Sequence, residues 1–225
     1  MKIAGIDPSM NSTGKCIMDL DDENFSIKSI SFYGYHTTKI RCISGGNVCI
    51  DHVGTKFTSL NMFERQELAY GILLRDMEDV KHVAFEGYAF GKKGTSSIIQ
   101  LAEFNGGMKK LFYDQGKGLV IYPPTTIKHF ATGSGAADKI GMVESFKKVY
   151  PELYPVIFNE FHQYESPHAD LCDAFWICET LRNHLMYDIL GSEKVEKGVA
   201  GLLEYKASKK SNCIVETTLF IKKKN

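Results

Sequence analysis

The segment KIAGIDPSMNSTGKCIMDL, residues 2–20, decides the fold of this chain. It contains two apolar runs, Lys2–Ile6 and Gly14–Leu20, separated by a polar stretch that begins with the turn-forming pair Asp-Pro. A third run with partial alternation, Ser26–Tyr35, follows a second turn that is rich in acidic residues and asparagine. Three short strands joined by short turns predict an antiparallel meander.

Beyond residue 60 the apolar residues change to helical spacing, and helices alternate with strands. The predicted order is a helix over about 62–77, a strand at His82–Phe85, a helix from about Thr95 to Asp114, a strand at Gly118–Tyr122, short helices at Thr125–Ala131 and Asp138–Tyr150, and a core helix from about Ala169 to Met186. A meander followed by this alternation predicts an α/β fold with a mixed five-stranded sheet flanked by helices.

Two segments stand apart from this alternation. The sequence KIRCISGGNVCIDHV predicts an extra hairpin at about 36–58, with its glycine pair at the tip and Ile43 facing Val48. Near the end of the chain the composition shifts to Lys and Glu. We therefore predict one domain at 1–190 and a C-terminal appendage at 191–225.

Length and charge restrict the class of protein. At about 150 residues per domain, 225 residues allow one elaborated domain. Lys plus Arg and Asp plus Glu number 27 each, which excludes a globally basic surface but allows a local basic face. No apolar run reaches the length of about 18 residues that a membrane span needs, so we expect no membrane partner. Six scattered cysteines and an early Asp7 favour a reduced, cytoplasmic protein without a signal peptide.

Four acidic residues stand where apolar elements begin or end. Asp7 follows the strand KIAGI, and Glu86 follows the strand HVAF. Asp170 and Asp173 are spaced to share one face of the last helix. Alone, Asp7 could start a turn and Asp170 could favour a helix start. Together, four carboxylates bordering a buried core need positive charge, and oxygen ligands favour Mg²⁺ or Mn²⁺.

Four motifs resemble the RuvC-type Holliday junction resolvases of the RNase H-like superfamily. They are GIDPSMNSTG, VAFEG, TIKHFATGSGAADK and HADLCDAFWIC, and they occur in the family's order over about residues 1–187. Longer segments at 35–60 and 154–167, together with the tail, distinguish this chain from the bacterial pattern. They favour a phage or viral relative, which would act in the host cytoplasm or a viral factory.

The resemblance implies the roles of particular residues. Asp7, Glu86, Asp170 and Asp173 take the catalytic, metal-binding positions, with two Mg²⁺ per active site and Mn²⁺ able to substitute. The implied reaction is cleavage of branched DNA, above all four-way junctions, leaving a 5′-phosphate and a 3′-hydroxyl. Lys128 and Lys139 fall on lysines that contact DNA phosphates. His168 is expected at the surface or behind the ligands rather than as a ligand.

A loop after the second acid carries further candidates for DNA binding. Lys92 and Lys93 supply local positive charge, and Tyr88 and Phe90 are aromatic residues that could stack on an unpaired base. The family has an aromatic wedge one position from Phe90, so both aromatic residues stay candidates. The alternative is that Phe90 packs back onto the following helix at Ile98.

Assembly follows from the chemistry of a junction. Resolving a four-way junction needs two symmetric cuts, and each chain has one active site. The protein is therefore expected to be a two-fold homodimer. The helix Thr95–Asp114 has an apolar stripe too wide for packing on a sheet alone, and the resemblance puts the dimer contact there. The sequence identifies no further protein partner.

Two other classes of function compete with a nuclease. Asp7 with Gly14 also resembles the first phosphate motif of actin-like and sugar-kinase ATPases, but the second phosphate loop of their duplicated domain has no counterpart here. A non-catalytic DNA-binding module of the same fold is the other alternative. The presence of all four acids in this sequence is evidence against such a non-catalytic module.

Overall fold

A computed structural model of the chain describes residues 1–37, 48–54, 59–87, 95–158 and 164–191. The strands are β1 (Lys2–Asp7), β2 (Ser12–Leu20), β3 (Ile27–His36), β4 (Val48–His52), β5 (Val80–Glu86) and β6 (Gly118–Tyr122). The helices are α1 (Met62–Leu73), α2 (Thr95–Asp114), α3 (Pro124–Thr132), α4 (Lys139–Val149), α5 (Tyr154–Ile157) and α6 (His168–Leu190). Among the described residues, no helix combines the length and apolar character needed to cross a membrane.

The strands form one mixed sheet in the order β4-β3-β2-β1-β5-β6. The predicted meander is confirmed, because β2 runs antiparallel to both β1 and β3. Strands β5 and β6 continue the sheet parallel to β1. This is the expected α/β arrangement, and it leaves β1 in the interior of the sheet, where its first and last residues alone are partly exposed.

The prediction of five strands is wrong, since the described residues form six. Val48–His52 runs parallel to β3, with Phe32 opposite Val48 and His36 opposite His52. Val48 and Ile50 are buried on the sheet, so alternating apolar residues extend its edge. The first arm of the predicted hairpin, including Ile43, lies outside the described residues, as does the predicted appendage beyond Gly191. The domain boundaries therefore stay predictions.

Helices cover both faces of the sheet. One core forms between the sheet and α3, α4 and α6, and the other forms beneath α1 and α2. In the first core the Phe175 ring meets Phe146 and Tyr150 edge-on, each at 4.8 Å between centroids. In the second core Phe104 and Phe112 of α2 are fully buried.

Two helix boundaries near the acids differ from the prediction. The helix predicted from Asp138 begins at Lys139, because Asp138 is its N-cap and accepts a hydrogen bond from the Gly141 amide at 2.9 Å. Helix α6 extends from His168 to Leu190, longer than predicted at both ends. Lys139 therefore lies in the first turn of α4.

Helix α6 lies directly on the backbone of the sheet. A Cβ atom added to Gly5 would come within 3.0 Å of the Ala174 carbonyl and the Cys178 amide. A Cβ atom added to Gly14 would come equally close to the carbonyl of Asp170. Two glycines on adjacent strands thus allow a backbone-to-backbone contact that no other residue type allows.

We expect Gly14→Ala to destabilise the fold by about 3 kcal/mol or more, because the clash is with backbone and not with a movable side chain. Gly71→Ala is the matched control: it adds a methyl group to α1 where nothing lies within 4 Å, and should stabilise by up to about 1 kcal/mol. Urea unfolding of the three proteins measures both effects. A Gly14→Ala protein as stable as the wild type would contradict the close contact.

Candidate metal centre

Three of the four predicted acids meet at one end of the sheet. Asp7 ends β1, and Asp170 and Asp173 lie near the start of α6. One carboxylate oxygen from each lies within 4.8 Å of the other two. The close contact between α6 and the sheet brings these residues together. Asp7 pairs with Gly14 in the sheet, and the backbone of Asp170 lies directly on Gly14. Two distant parts of the sequence therefore form one cluster.

Glu86 joins the same end of the sheet. It ends β5, which runs parallel to β1 with Phe85 opposite Ile6. The carboxyl ends of parallel strands meet at one edge, so Glu86 lies at the same end of the sheet as Asp7. Glu86 is not in the close group of three, but its charge acts on both Asp7 and Asp173.

Two of the acids, Asp7 and Asp173, have raised pKa values. Burial, followed by the charges of Glu86, Asp173 and Asp170, raises the pKa of Asp7 well above its usual value. Burial and the charge of Glu86 raise the pKa of Asp173 to about 7. Crowded carboxylates of this kind are relieved by a hard divalent cation, which takes oxygen ligands. The donor set therefore fits Mg²⁺ or Mn²⁺.

Asp170 is nearly buried and is held by three donors. The Ser12 hydroxyl donates to Oδ2, the Ser166 hydroxyl donates to Oδ1 at 2.9 Å, and the Lys139 ammonium lies 3.2 Å from Oδ1. The two serines were missed by the sequence reasoning. Isolated hydroxyls follow no pattern of spacing, so nothing in the sequence connects them with Asp170.

The two lysines predicted to contact DNA phosphates lie beside the acids. Burial opposes the charge of the Lys139 ammonium, but Asp170, Asp173 and Asp7 together raise the pKa of Lys139 above its usual value. Lys128 on α3 is half-buried, and its charge acts to lower the pKa of Asp173. Both ammonium groups thus add positive charge at the rim of the acidic cluster.

His168 is buried and does not belong to the acidic group. Its ring lies 6.4 Å from the Phe158 ring, between centroids. A surface position is therefore wrong, because His168, the first residue of α6, is fully buried. The other expected position, behind the metal ligands, stays a prediction.

The four DNA-binding candidates that follow Glu86 in the sequence lie outside the described residues: Tyr88, Phe90, Lys92 and Lys93. Their assignment to DNA binding stays a prediction, and so does the alternative packing of Phe90 on Ile98.

The mixed sheet, with acids at adjoining strand ends and on the last helix, has the arrangement of an RNase H-like α/β fold.

No protein-family model matches the chain. The crossover junction endodeoxyribonuclease RuvC of Helicobacter pylori strain Shi470 is 24% identical over 172 residues, covering 75% of this chain and 96% of that protein. RuvC of Helicobacter acinonychis is 26% identical over 163 residues, covering 71% and 90%.

Solved structures agree on the fold. Thermus thermophilus RuvC superposes with a TM-score of 0.52 at 15% identity, and the same protein in complex with Holliday junction substrate gives 0.54 at 16%. Both matches cover 84% of this chain and 96% of the RuvC chain. The chain therefore shares the fold of RuvC.

Proposed function

We propose that this protein is a structure-selective DNA endonuclease that resolves four-way (Holliday) junctions in recombination or repair. The observation that carries the proposal is the convergence of Asp7, Asp170 and Asp173, with Glu86 nearby, at one end of the sheet. The curated relatives that match most of the chain are crossover junction endodeoxyribonucleases. The products would carry a 5′-phosphate and a 3′-hydroxyl, and other branched DNA is a further candidate substrate.

The acids would hold two Mg²⁺ ions, with Mn²⁺ able to substitute. Two such ions supply an activated water, a stabilised leaving oxygen and charge compensation in the transition state. Asp7, at the interior strand of the sheet, would contribute to both ion sites. Asp170 and Asp173 would complete one site, and Glu86 would complete the other. The role of the protein is to hold these carboxylates in place.

The protein has no net charge, so its affinity for DNA would come from a local basic face. Lys128 and Lys139 lie at the rim of the acidic cluster, where a phosphate must come to be cut. Lys92 and Lys93 would extend this basic face, and Tyr88 or Phe90 would stack at the junction centre. We expect the protein to act in the cytoplasm, or in the host cytoplasm or a viral factory if it is viral.

The competing functions have weaker support. An ATPase of the actin-like or sugar-kinase class needs a second phosphate loop, which the sequence lacks. A non-catalytic DNA-binding module would not need four acids gathered at one end of the sheet at the cost of mutual repulsion. Junction cleavage that requires a divalent cation and not ATP separates the three.

The protein would act as a homodimer through α2. This helix turns Phe104, Met108 and Phe112 into the core and leaves Ile99 and Tyr113 about half-exposed. Ile99 and Tyr113 are fourteen positions apart in sequence, which is two heptads, so they lie on nearly one face of the helix. The wide apolar stripe of α2 is thus divided between the core and an outer surface.

For the metals, we expect Asp7→Asn to reduce cleavage of a four-way junction in Mg²⁺ by about 100-fold or more, with junction affinity nearly unchanged. The carboxylate places the ions, whereas lysine-to-phosphate contacts supply the affinity. Asp79→Asn, at an exposed acid, is the control and should cleave normally. Cleavage in EDTA at the rate seen in Mg²⁺, or an active Asp7→Asn protein, would refute the proposal.

For the assembly, we expect the mass of a dimer by light scattering, and the mass of a monomer for Ile99→Glu. A buried carboxylate at an apolar contact costs several kcal/mol. Ile140→Glu is the matched control, because Ile140 on α4 is exposed to the same degree outside α2. A wild-type monomer at concentrations that support cleavage would contradict the proposed dimer.

A further inference from the structure

We propose that Ser12 and Ser166 are positioning residues that orient the Asp170 carboxylate for binding a divalent cation together with Asp7 and Asp173. The inference rests on the proposed metal-dependent function and deepens it. It concerns two hydroxyls to which neither the sequence pattern nor the comparisons assign a role. Neither hydroxyl would touch the cation, so both would act through Asp170.

The two serines hold opposite oxygens of one carboxylate. Ser12, at the start of β2, donates to Oδ2, and Ser166, just before α6, donates to Oδ1 at 2.9 Å. Rotation of an aspartate carboxylate about its last bond is otherwise broad and roughly two-fold. Donors on both oxygens, from two separate parts of the chain, fix that rotation. Asp170 is 5% exposed, so few water molecules can take over this role.

Ser12 is itself held in place by the turn between β1 and β2. The Ser9 amide donates to the Thr13 hydroxyl at 3.0 Å, and that hydroxyl donates back to the Ser9 carbonyl at 2.6 Å. The Tyr35 hydroxyl also donates to the Ser9 carbonyl, at 2.7 Å. Thr13 and Tyr35 are fully buried. Because these hydrogen bonds hold the turn, the Ser12 hydroxyl can fix the orientation of the Asp170 carboxylate.

Neutral donors suit a cation ligand better than a fixed ion pair. A hydroxyl orients the carboxylate without neutralising it, so the negative charge stays available to a metal ion. Lys139 is the charged neighbour of Oδ1, but its side chain is 54% exposed and extends from a different helix. An ionised carboxylate has about four lone-pair directions. The three donors to Asp170 therefore leave one lone-pair direction for a metal ion.

The test is the Mn²⁺ affinity of the full chain without DNA, measured by isothermal titration calorimetry. We expect Ser12→Ala with Ser166→Ala to weaken binding by about 10-fold to 100-fold, the usual effect of losing groups that orient a metal ligand. Ser12→Thr, which keeps a hydroxyl, should restore most of the affinity lost in Ser12→Ala. Ser145→Ala is the matched control, because that hydroxyl donates to the Ala131 carbonyl outside the acidic cluster.

A second measurement asks whether the serines act through Asp170. In an Asp170→Ala background, the double serine change should weaken Mn²⁺ binding by less than about twofold, because the group that the serines orient is gone. Thermal unfolding is recorded for every variant. A lowered melting temperature with unchanged Mn²⁺ affinity would mean a purely structural role, and would overturn the proposal.

Two further outcomes would also overturn the proposed role of the serines: a wild-type chain that binds no Mn²⁺, and a double serine variant that binds Mn²⁺ as the wild type does.

Failure of the proposed nuclease function would give a different result. In that case Mn²⁺ binding depends on the serines while junction DNA stays uncut in Mg²⁺ and in Mn²⁺. The positioning role then stands without the cleavage activity.

Discussion

The contact on which this structure depends is the approach of α6 to β1 and β2 with no side chain in between. Gly5 and Gly14 let the helix backbone rest on the strand backbone, and the same contact carries Asp170 to the end of β1, where Asp7 lies. Any Cβ atom at either position would lift the helix from the sheet. The acids are therefore assembled by packing, and not by attraction between them.

This packing must offset an electrostatic cost. Asp7 and Asp173 are partly buried and lie close to each other, and the charges of Glu86 and Asp170 make both of them harder to ionise. The helix that supplies two of the acids also supplies Phe175 and Trp176 to the aromatic core on the same face of the sheet. Helix α6 thus carries both aromatic residues that stabilise the fold and acids whose mutual repulsion destabilises it. Such a combination is common at functional sites.

Much of this arrangement could be predicted because it follows from local rules. Asp7 and Glu86 come directly after buried strands, so their meeting at one edge follows from the parallel pairing of those strands. The direction of β4 was not predictable, since it depends on an edge formed by residues distant in sequence. The donation of Ser12 and Ser166 to Asp170 depends on where the helix comes to rest on the sheet, and no spacing in the sequence encodes that distance.

The most direct test of the central claim, that packing assembles a metal centre from these acids, is anomalous diffraction from crystals grown with Mn²⁺. We predict an anomalous peak bounded by the carboxylates of Asp7, Asp170 and Asp173, whose oxygens lie within 4.8 Å of one another. The Mn–O distances should be consistent with direct coordination. A crystal saturated with Mn²⁺ that shows no peak among these three side chains, or a peak only elsewhere, would contradict the account.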